Sequence, residues 1–306
     1  MKDQISKEEV RSINKQEYIV ILFYKYTEIE NPESLLEREL AVCEVLDIKG
    51  RLIIAGEGIN ATLEGTKENI EKYKVHIKKD KRFKHLDVKE SVGNGKAFPR
   101  LSIKVRDEIV STKLPKSIDP SKSTGKHLSP TELKKWYDED KDFVVLDMRN
   151  DYELNSGYFE KTVNIGLKNS RDLQDKLESL KIHKDKTVVT VCTGGVRCEK
   201  MSEYLIDQGF KDVNQLHNGI HGYMKKYPGE NYLGTLYTFD QRVTMDFGAG
   251  KDSSRIVIGK CADCDASSET YYDMYEKVNK DTHDGHVILC EVCADIKNLK
   301  KYASRK

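Results

Sequence analysis

No part of this sequence stays apolar for long. Its longest aliphatic and aromatic run, Tyr18 to Tyr24, falls far short of the ~20 residues that cross a bilayer. A helical membrane anchor is therefore excluded, and no membrane partner is expected. Residues 1–17 form a charged leader without an apolar segment, which excludes a secretory signal and predicts a cytoplasmic protein. Charge of one sign is not in excess either: 52 Lys and Arg against 51 Asp and Glu leave a net charge of +1. Any nucleic-acid contact must then come from local basic patches. No internal repeat stands out, and no flavin, haem or facial-triad iron motif is apparent. Cysteine is sparse, at seven residues. In a reducing compartment these cysteines are catalytic, metal-binding or buried, not a disulfide framework.

What is present divides into an α+β chain of several domains, as ~100–200 residues per domain suggests. In residues 18–112, "YIVILFYKY" reads as a buried strand. Asn31 caps and Pro32 opens a helix with an apolar stripe at Leu35, Leu36, Leu40 and Cys43. Two strands joined by a Gly-rich turn, a helix from about Thr66 and the strand "HLDVKESV" complete a β-α-β-β-α-β order of the ferredoxin or acylphosphatase type. A further strand is expected in "RLSIKVRDEIV". "GEGINA", Gly56–Ala61, matches a dinucleotide fingerprint but runs into an alternating, strand-like segment where a helix is required, so it reads as a tight turn.

Residues 113–128, rich in Ser, Lys and Pro, read as a linker. Residues 129–229 alternate strands with helices, which predicts a parallel-sheet α/β domain. Ser129, Pro130 and Glu132 form a capping box at its start. Residues 230–306 are irregular and carry Cys261, Cys264, Cys290 and Cys293 as two C-x2-C pairs. Such pairs share one tetrahedral ion, which predicts a structural zinc in a ribbon-like segment with little core of its own. "ETYYDMYEKVN" between the pairs has room for a helix. His283 and His286 read as solvated loop residues, since four thiolates already fill a tetrahedron.

The chemistry concentrates in "VVTVCTGGVRCEK". Cys192 ends a strand, which is where open α/β sheets bind ligands. Thr193, Gly194, Gly195 and Val196 turn the chain toward a helix, and Arg197 adds a full charge. Inward N–H groups, a helix N-terminus and Arg197 make an anion cradle, which lowers a thiol pKa and prepares a thiolate. Cys198 is either a resolving partner or a small helix residue facing the core; the second is preferred. Cys43 reads as core.

At these residues the chain resembles the rhodanese superfamily: "CTGGVR" for the active-site loop, and Asp147, Arg149, Glu153 and Gly157 for the upstream signature. Tyr158 stands where a histidine is usual. Asn218 replaces the first glycine of the pair before the last helix, and Asn tolerates a positive φ. The loop is one residue shorter than that of the related cell-cycle phosphatases, which suits sulfur better than phosphate. Together with the N-terminal unit and "YTFDQRV", Tyr237–Val243, the chain is similar to bacterial rhodanese-type tRNA uridine hydroxylases. That resemblance implies an oxygen-dependent enzyme forming 5-hydroxyuridine at the wobble position of a tRNA anticodon stem-loop. It also implies Cys192 and Arg197 as catalytic residues, Asp147 and Arg149 as support for the loop, and molecular oxygen as co-substrate. The alternative is a sulfurtransferase or sulfur-relay protein with a Cys192 persulfide.

RNA contact is expected from Lys79, Lys81, Arg82, Arg100, Lys104 and Arg106, beside Phe83 and Phe98 read as exposed, with Lys113, Lys116, Lys122 and Lys126 in the linker. Oligomeric state is not legible here.

Overall fold

The structure, a computed structural model, describes residues 16–248, 256–273 and 286–299. Most of the charged leader, and residues 274–285 between the cysteine pairs with His283 among them, lie outside these residues. Contacts among the described residues group into two compact units, 16–25 with 29–106, and 26–28 with 107 onward.

The first unit contains β1 (Tyr18–Tyr26), α1 (Pro32–Val45), β2 (Lys49–Ala55), β3 (Gly58–Thr66), α2 (Lys67–Ile77), β4 (Lys89–Val92) and β5 (Leu101–Val105). Its sheet runs β4-β1-β3-β2-β5, the expected split β-α-β order with β5 added in parallel beside β2. Both helices begin where their caps demand. The Asn31 side chain accepts from the Ser34 N–H ahead of Pro32, and Thr66 accepts from Asn69. Leu35, Cys43, Ile70 and Tyr73 from the helices share one core with Phe23, Leu52, Ile54 and Leu63 from the strands. Each such side chain contributes ~1.5–3 kcal/mol by burial. The "GEGINA" turn leads straight into β3, not a helix.

Two aromatics depart from expectation. Phe83 and Phe98 are 0% and 3% exposed; the flanking lysines and arginines are solvated, but the rings fill cores and face no partner. The hydrophobic gain of covering a phenylalanine outweighs the polar company it keeps in sequence.

The second unit is built on a parallel sheet of β6 (Lys126–Leu128), β7 (Val144–Asp147), β9 (Thr162–Val163), β10 (Thr187–Val191) and β11 (Asp212–Leu216), in the order β6-β11-β10-β7-β9. β8 (Gly157–Phe159) lies outside it and pairs with a later strand. α3 (Pro130–Asp138), α4 (Asp151–Leu154), α5 (Leu173–Leu180), α6 (Val196–Asp207) and α7 (Gly219–Lys226) alternate with the strands. The central β10 is hydrogen-bonded to β11 on one side and β7 on the other. Apolar cores cover both faces, Val188 with Met201 and Leu205 on one, Val189 with Leu133 and Ile220 on the other. The Ser129–Glu132 capping box forms as expected.

The segment read as a linker, and residues 107–112 before it, are built into this unit. Ile109 and Ile118 are buried. The Gly125 N–H donates to Ser202 Oγ at 2.9 Å, and Thr124 Oγ1 donates to the Glu199 carbonyl at 2.9 Å. Glu108 pairs with the buried Lys200 at 2.9 Å. Partners far along the chain satisfy a backbone whose own sequence offers no periodicity.

After α7 come β12 (Tyr232–Gly234), antiparallel to β8, the hairpin β13 (Leu236–Tyr237) and β14 (Thr244–Met245), and the pair β15 (Tyr271–Asp273) and β16 (His286–Ile288). A last helix, α8 (Glu291–Ile296), follows. In the segment between the cysteine pairs with room for a helix, the described Tyr271–Asp273 form a strand, and residues 274–279 lie outside the described residues. No helix among the described residues is long and apolar enough to cross a membrane.

Candidate active site

Cys192 follows the last residue of β10, and the loop 192–195 turns directly into α6. Gly195 takes a φ of +106° that side chains rarely adopt. That turn swings its N–H back to the Cys192 sulfur, 3.1 Å away. The loop carbonyls face the other way. Cys192 O accepts from Ile220 N–H at 2.9 Å, and Thr193 O from His221 N–H at 3.0 Å. α7 thereby pulls the loop oxygens outward and leaves its amides for the sulfur. This approach needs Asn218 and Gly219 in the left-handed region, at φ 64° and 61°. Asn218 keeps the turn expected of the glycine it replaces. At Gly219 a Cβ would lie 2.5 Å from Cys192 O and 2.8 Å from Thr193 O.

Arg197 lies on the first turn of α6. Its Nη1 donates to Glu153 Oε1 at 2.6 Å and its Nη2 to Oε2 at 2.9 Å, both side chains being buried. Thr193 Oγ1 accepts from Nη2 and donates to Glu153 at 3.3 Å. The fork matches a carboxylate bidentately, which fixes the guanidinium plane beside the sulfur. Burial alone raises the Glu153 pKa, but the Arg197 charge and hydrogen bonds outweigh it, and Glu153 stays below the ordinary carboxylate range. In the sequence Glu153 stands only as part of the upstream signature, and its spacing from Arg197 carries no signal of their pairing.

Asp147 and Arg149 form a second fully buried pair, with Nη2 to Oδ2 at 2.7 Å. Arg149 also donates to the Gly157 carbonyl at 2.6 Å and to the Tyr232 hydroxyl at 3.3 Å. The pair ties β7 to β8 and β12 and so anchors both ends of α4, which presents Glu153.

Burial pushes the Cys192 thiol up. The Cys198 thiol, the Arg197 charge and the N–H groups of Cys198 and Arg197 more than reverse this, to about 5. Burial and the neighbouring Cys192 push Cys198 the other way, so it keeps its proton and donates it. Cys198 thus packs in the core, as preferred, yet also leans on the reactive sulfur. Cα–Cβ bonds tilt toward a helix's N-terminus, so a residue in the first turn points back at the loop. The result is one charged sulfur held by a thiol, amides and a guanidinium. Such a sulfur can act as a nucleophile, and the same groups can stabilise negative charge developing on a reactant.

The four C-terminal cysteines converge. Their sulfurs all lie within 4.8 Å of one another, with Cys264 and Cys290 at 3.7 Å. Tetrahedral thiolates at ~2.3 Å from a zinc ion stand ~3.8 Å apart, so the donor set fits that ion. His286 does not join it. Its ring packs 5.1 Å from Tyr152, half-buried, not solvated as read.

The basic residues fall into two sets on the first unit. Lys79 and Lys81 are exposed, while Arg82 is clamped by Asp80, with Nη2 to Oδ2 at 2.7 Å. Arg100, Lys104 and Arg106 are exposed at alternate positions along and beside β5, which places them on one face of an edge strand.

Residues 18–109 match the UPF0176 acylphosphatase-like domain, and residues 129–226 match the rhodanese-like domain. The tRNA uridine(34) hydroxylase of Cytophaga hutchinsonii is 40% identical over 281 residues, 92% of this chain and 87% of that protein. The protein of that name from Staphylococcus aureus strain MRSA252 is 42% identical over 246 residues, 79% of this chain and 76% of that one. The crystal structure of a rhodanese-like domain protein from Staphylococcus aureus aligns with 32% of this chain and 90% of its own, at 31% identity and a TM-score of 0.28. The chain belongs to the family of the tRNA uridine(34) hydroxylases.

Proposed function

We propose that this chain is an oxygen-dependent tRNA hydroxylase that forms 5-hydroxyuridine at the wobble position, acting in the cytoplasm on the anticodon stem-loop. The observation that carries the chemistry is the Cys192 sulfur at the end of β10, accepting from the Gly195 N–H at 3.1 Å, beside Cys198 and Arg197, which favour its thiolate. Single-stranded loops let a base splay out and enter such a cradle. On this reading the thiolate adds to C6 of the uracil ring and places electron density at C5, which bonds one atom of dioxygen. The second atom leaves as water with two electrons and two protons from an external reductant, and loss of the C5 proton with expulsion of the thiolate from C6 restores the ring. Arg197 and the loop N–H groups stabilise the negative charge that develops. The exposed face of Arg100, Lys104 and Arg106, with Lys79 and Lys81, supplies phosphate contacts; Arg82 contributes less because Asp80 already holds it. Cys261, Cys264, Cys290 and Cys293 would hold one zinc ion, and that metal would supply stability to the C-terminal segment, not chemistry.

The test is nucleoside mass spectrometry of tRNA treated under isotopically heavy oxygen. Wild-type protein is expected to add one heavy oxygen to uridine, and Cys192→Ser to add none while still binding tRNA. Arg197→Lys is expected to retain more activity than Arg197→Ala, because the charge remains without the fork. Wild-type protein that leaves uridine unlabelled but moves sulfur from thiosulfate through Cys192 would assign it to the sulfurtransferases instead.

A further inference from the structure

Above Arg197 the hairpin of β13 and β14 turns through residues 238–243. This turn is held from within. Thr238 N–H donates to the Val243 carbonyl at 2.7 Å, and Val243 N–H to the Asp240 carbonyl at 3.0 Å. Asp240, 4% exposed, accepts from the Arg242 backbone N–H at 2.9 Å and from its Nη2 at 2.6 Å. Val243 takes a φ of +65°. That conformation is an outlier for a β-branched residue, and such strain persists only where the surroundings impose it, most often at functional sites.

The turn presents Phe239. Its ring centroid lies 5.7 Å from the Arg197 guanidinium carbon, and Tyr237 meets it edge-on at 5.5 Å. Yet Phe239 is 37% exposed. Its neighbour Tyr237, two residues earlier, is 1% exposed, so burial was available to this hairpin and Phe239 does not take it. A rigid, strained turn holding an aromatic ring half in solvent, against the arginine that flanks the reactive sulfur, is the arrangement that stacks a flat unsaturated ring.

We propose that Phe239 is the stacking platform for the target pyrimidine as it enters the cradle of Cys192 and Arg197. This rests on the RNA-modifying reading above and adds a substrate-contacting residue to it. The stacking partner is a base of a single-stranded loop. Because every base has a π face, the platform contributes affinity and placement, and the choice of base falls to the cradle.

The experiment compares Phe239→Ala, Phe239→Leu and Phe239→Trp in the full chain, with a tRNA anticodon stem-loop as substrate and uridine hydroxylation as readout. The thiolate absorbance of Cys192 is titrated in parallel. Loss of one base–aromatic stack corresponds to about a 5- to 150-fold fall in kcat/KM. Phe239→Ala and Phe239→Leu are expected to show that fall, and Phe239→Trp to recover most of the activity, with the thiolate midpoint unmoved in all three. Leu performing as well as Trp would show that apolar bulk suffices and would overturn the platform. So would Phe239→Ala within twofold of wild type, or a thiolate midpoint that shifts with activity, since Phe239 would then act only through Arg197. Wild-type protein that hydroxylates no uridine overturns the functional reading, and the platform with it. Intact wild-type activity with an indifferent Phe239 overturns the platform alone.

Discussion

Replacing Gly219 with alanine tests how the cradle is held open. Gly219 sits at φ +61°, where an L side chain costs ~1–2 kcal/mol. Its new Cβ would stand 2.5 Å from Cys192 O and 2.8 Å from Thr193 O, too close for any relaxed contact. Overpacking of this kind costs ~1–3 kcal/mol. The two terms sum to about 2–5 kcal/mol, or about 4–20 °C in Tm for a unit of this size. Because the atoms displaced are the loop carbonyls, the amides on the other side of the same peptides move with them. A shift near 1 Å costs on the order of 10²-fold in rate. Gly209→Ala is the internal control. Gly209 also has a positive φ, 87°, but its nearest neighbour to a new Cβ is Lys184 Nζ at 3.7 Å, so it incurs only the backbone cost. Differential scanning calorimetry, heavy-oxygen labelling and Cys192 thiolate titration on both variants decide the matter. Gly219→Ala is expected to melt lower than Gly209→Ala and to lose activity, while Gly209→Ala stays active. Equal melting temperatures and an unchanged Cys192 titration would refute the claim that α7 presses directly on the loop.

Further outcomes follow from other contacts. The Cys192 pKa lies below its ordinary value in the folded state. Its contribution to stability is therefore fully present above the unfolded thiol range and falls as pH drops from about 9 toward 5. Denaturant midpoints of wild type and Cys192→Ser should diverge across that interval; parallel curves would mean an ordinary thiol. Asp147→Ala leaves Arg149 charged and fully buried, a loss of ~3–5 kcal/mol, so chemical denaturation should show the unit severely destabilised. Elemental analysis should find one zinc per chain, lost in Cys261→Ser, with chelation at low pH loosening the C-terminal segment first; metal content indifferent to that substitution would refute the site. Reversing the charges of Lys104 and Arg106 together should weaken tRNA binding and flatten its salt dependence by a slope of about 2; an unchanged slope places the RNA elsewhere.

The parts of this molecule that were legible in its sequence are those decided within a few residues. Asn31 with Pro32, and Ser129 with Glu132, announce their helices because a cap is satisfied three residues away. Cys192, Gly195 and Arg197 are consecutive enough for their chemistry to be read in one loop. Exposure is different, since it depends on what arrives from elsewhere. Phe83 sits among lysines and arginines and is wholly buried. The 113–128 stretch looks like a linker because its partners, Glu199, Ser202 and Gln215, are more than 70 residues on. Glu153 is 44 residues from Arg197, and only the fold brings the carboxylate to the guanidinium. The contact of Cys198 with Cys192 is not legible in sequence because its direction depends on where the helix starts, and the helix starts two residues before it.

The burial of Cys192 has a consequence for the protein's own survival. In the proposed function its side chain is a thiolate acting in a reaction that consumes oxygen, yet the residue has no exposed surface. Thiolates climb the oxidation ladder to sulfinic and sulfonic acids according to their charge and their access, and those upper rungs do not reverse here without a dedicated enzyme. A sulfur this nucleophilic, left open to solvent, would be worn out by stray peroxide between turnovers. Buried as it is in the fold, it is reached by bulk oxidant more slowly than an exposed thiolate would be. Bulk peroxide should therefore inactivate the resting enzyme far more slowly than the acidity of its thiol implies.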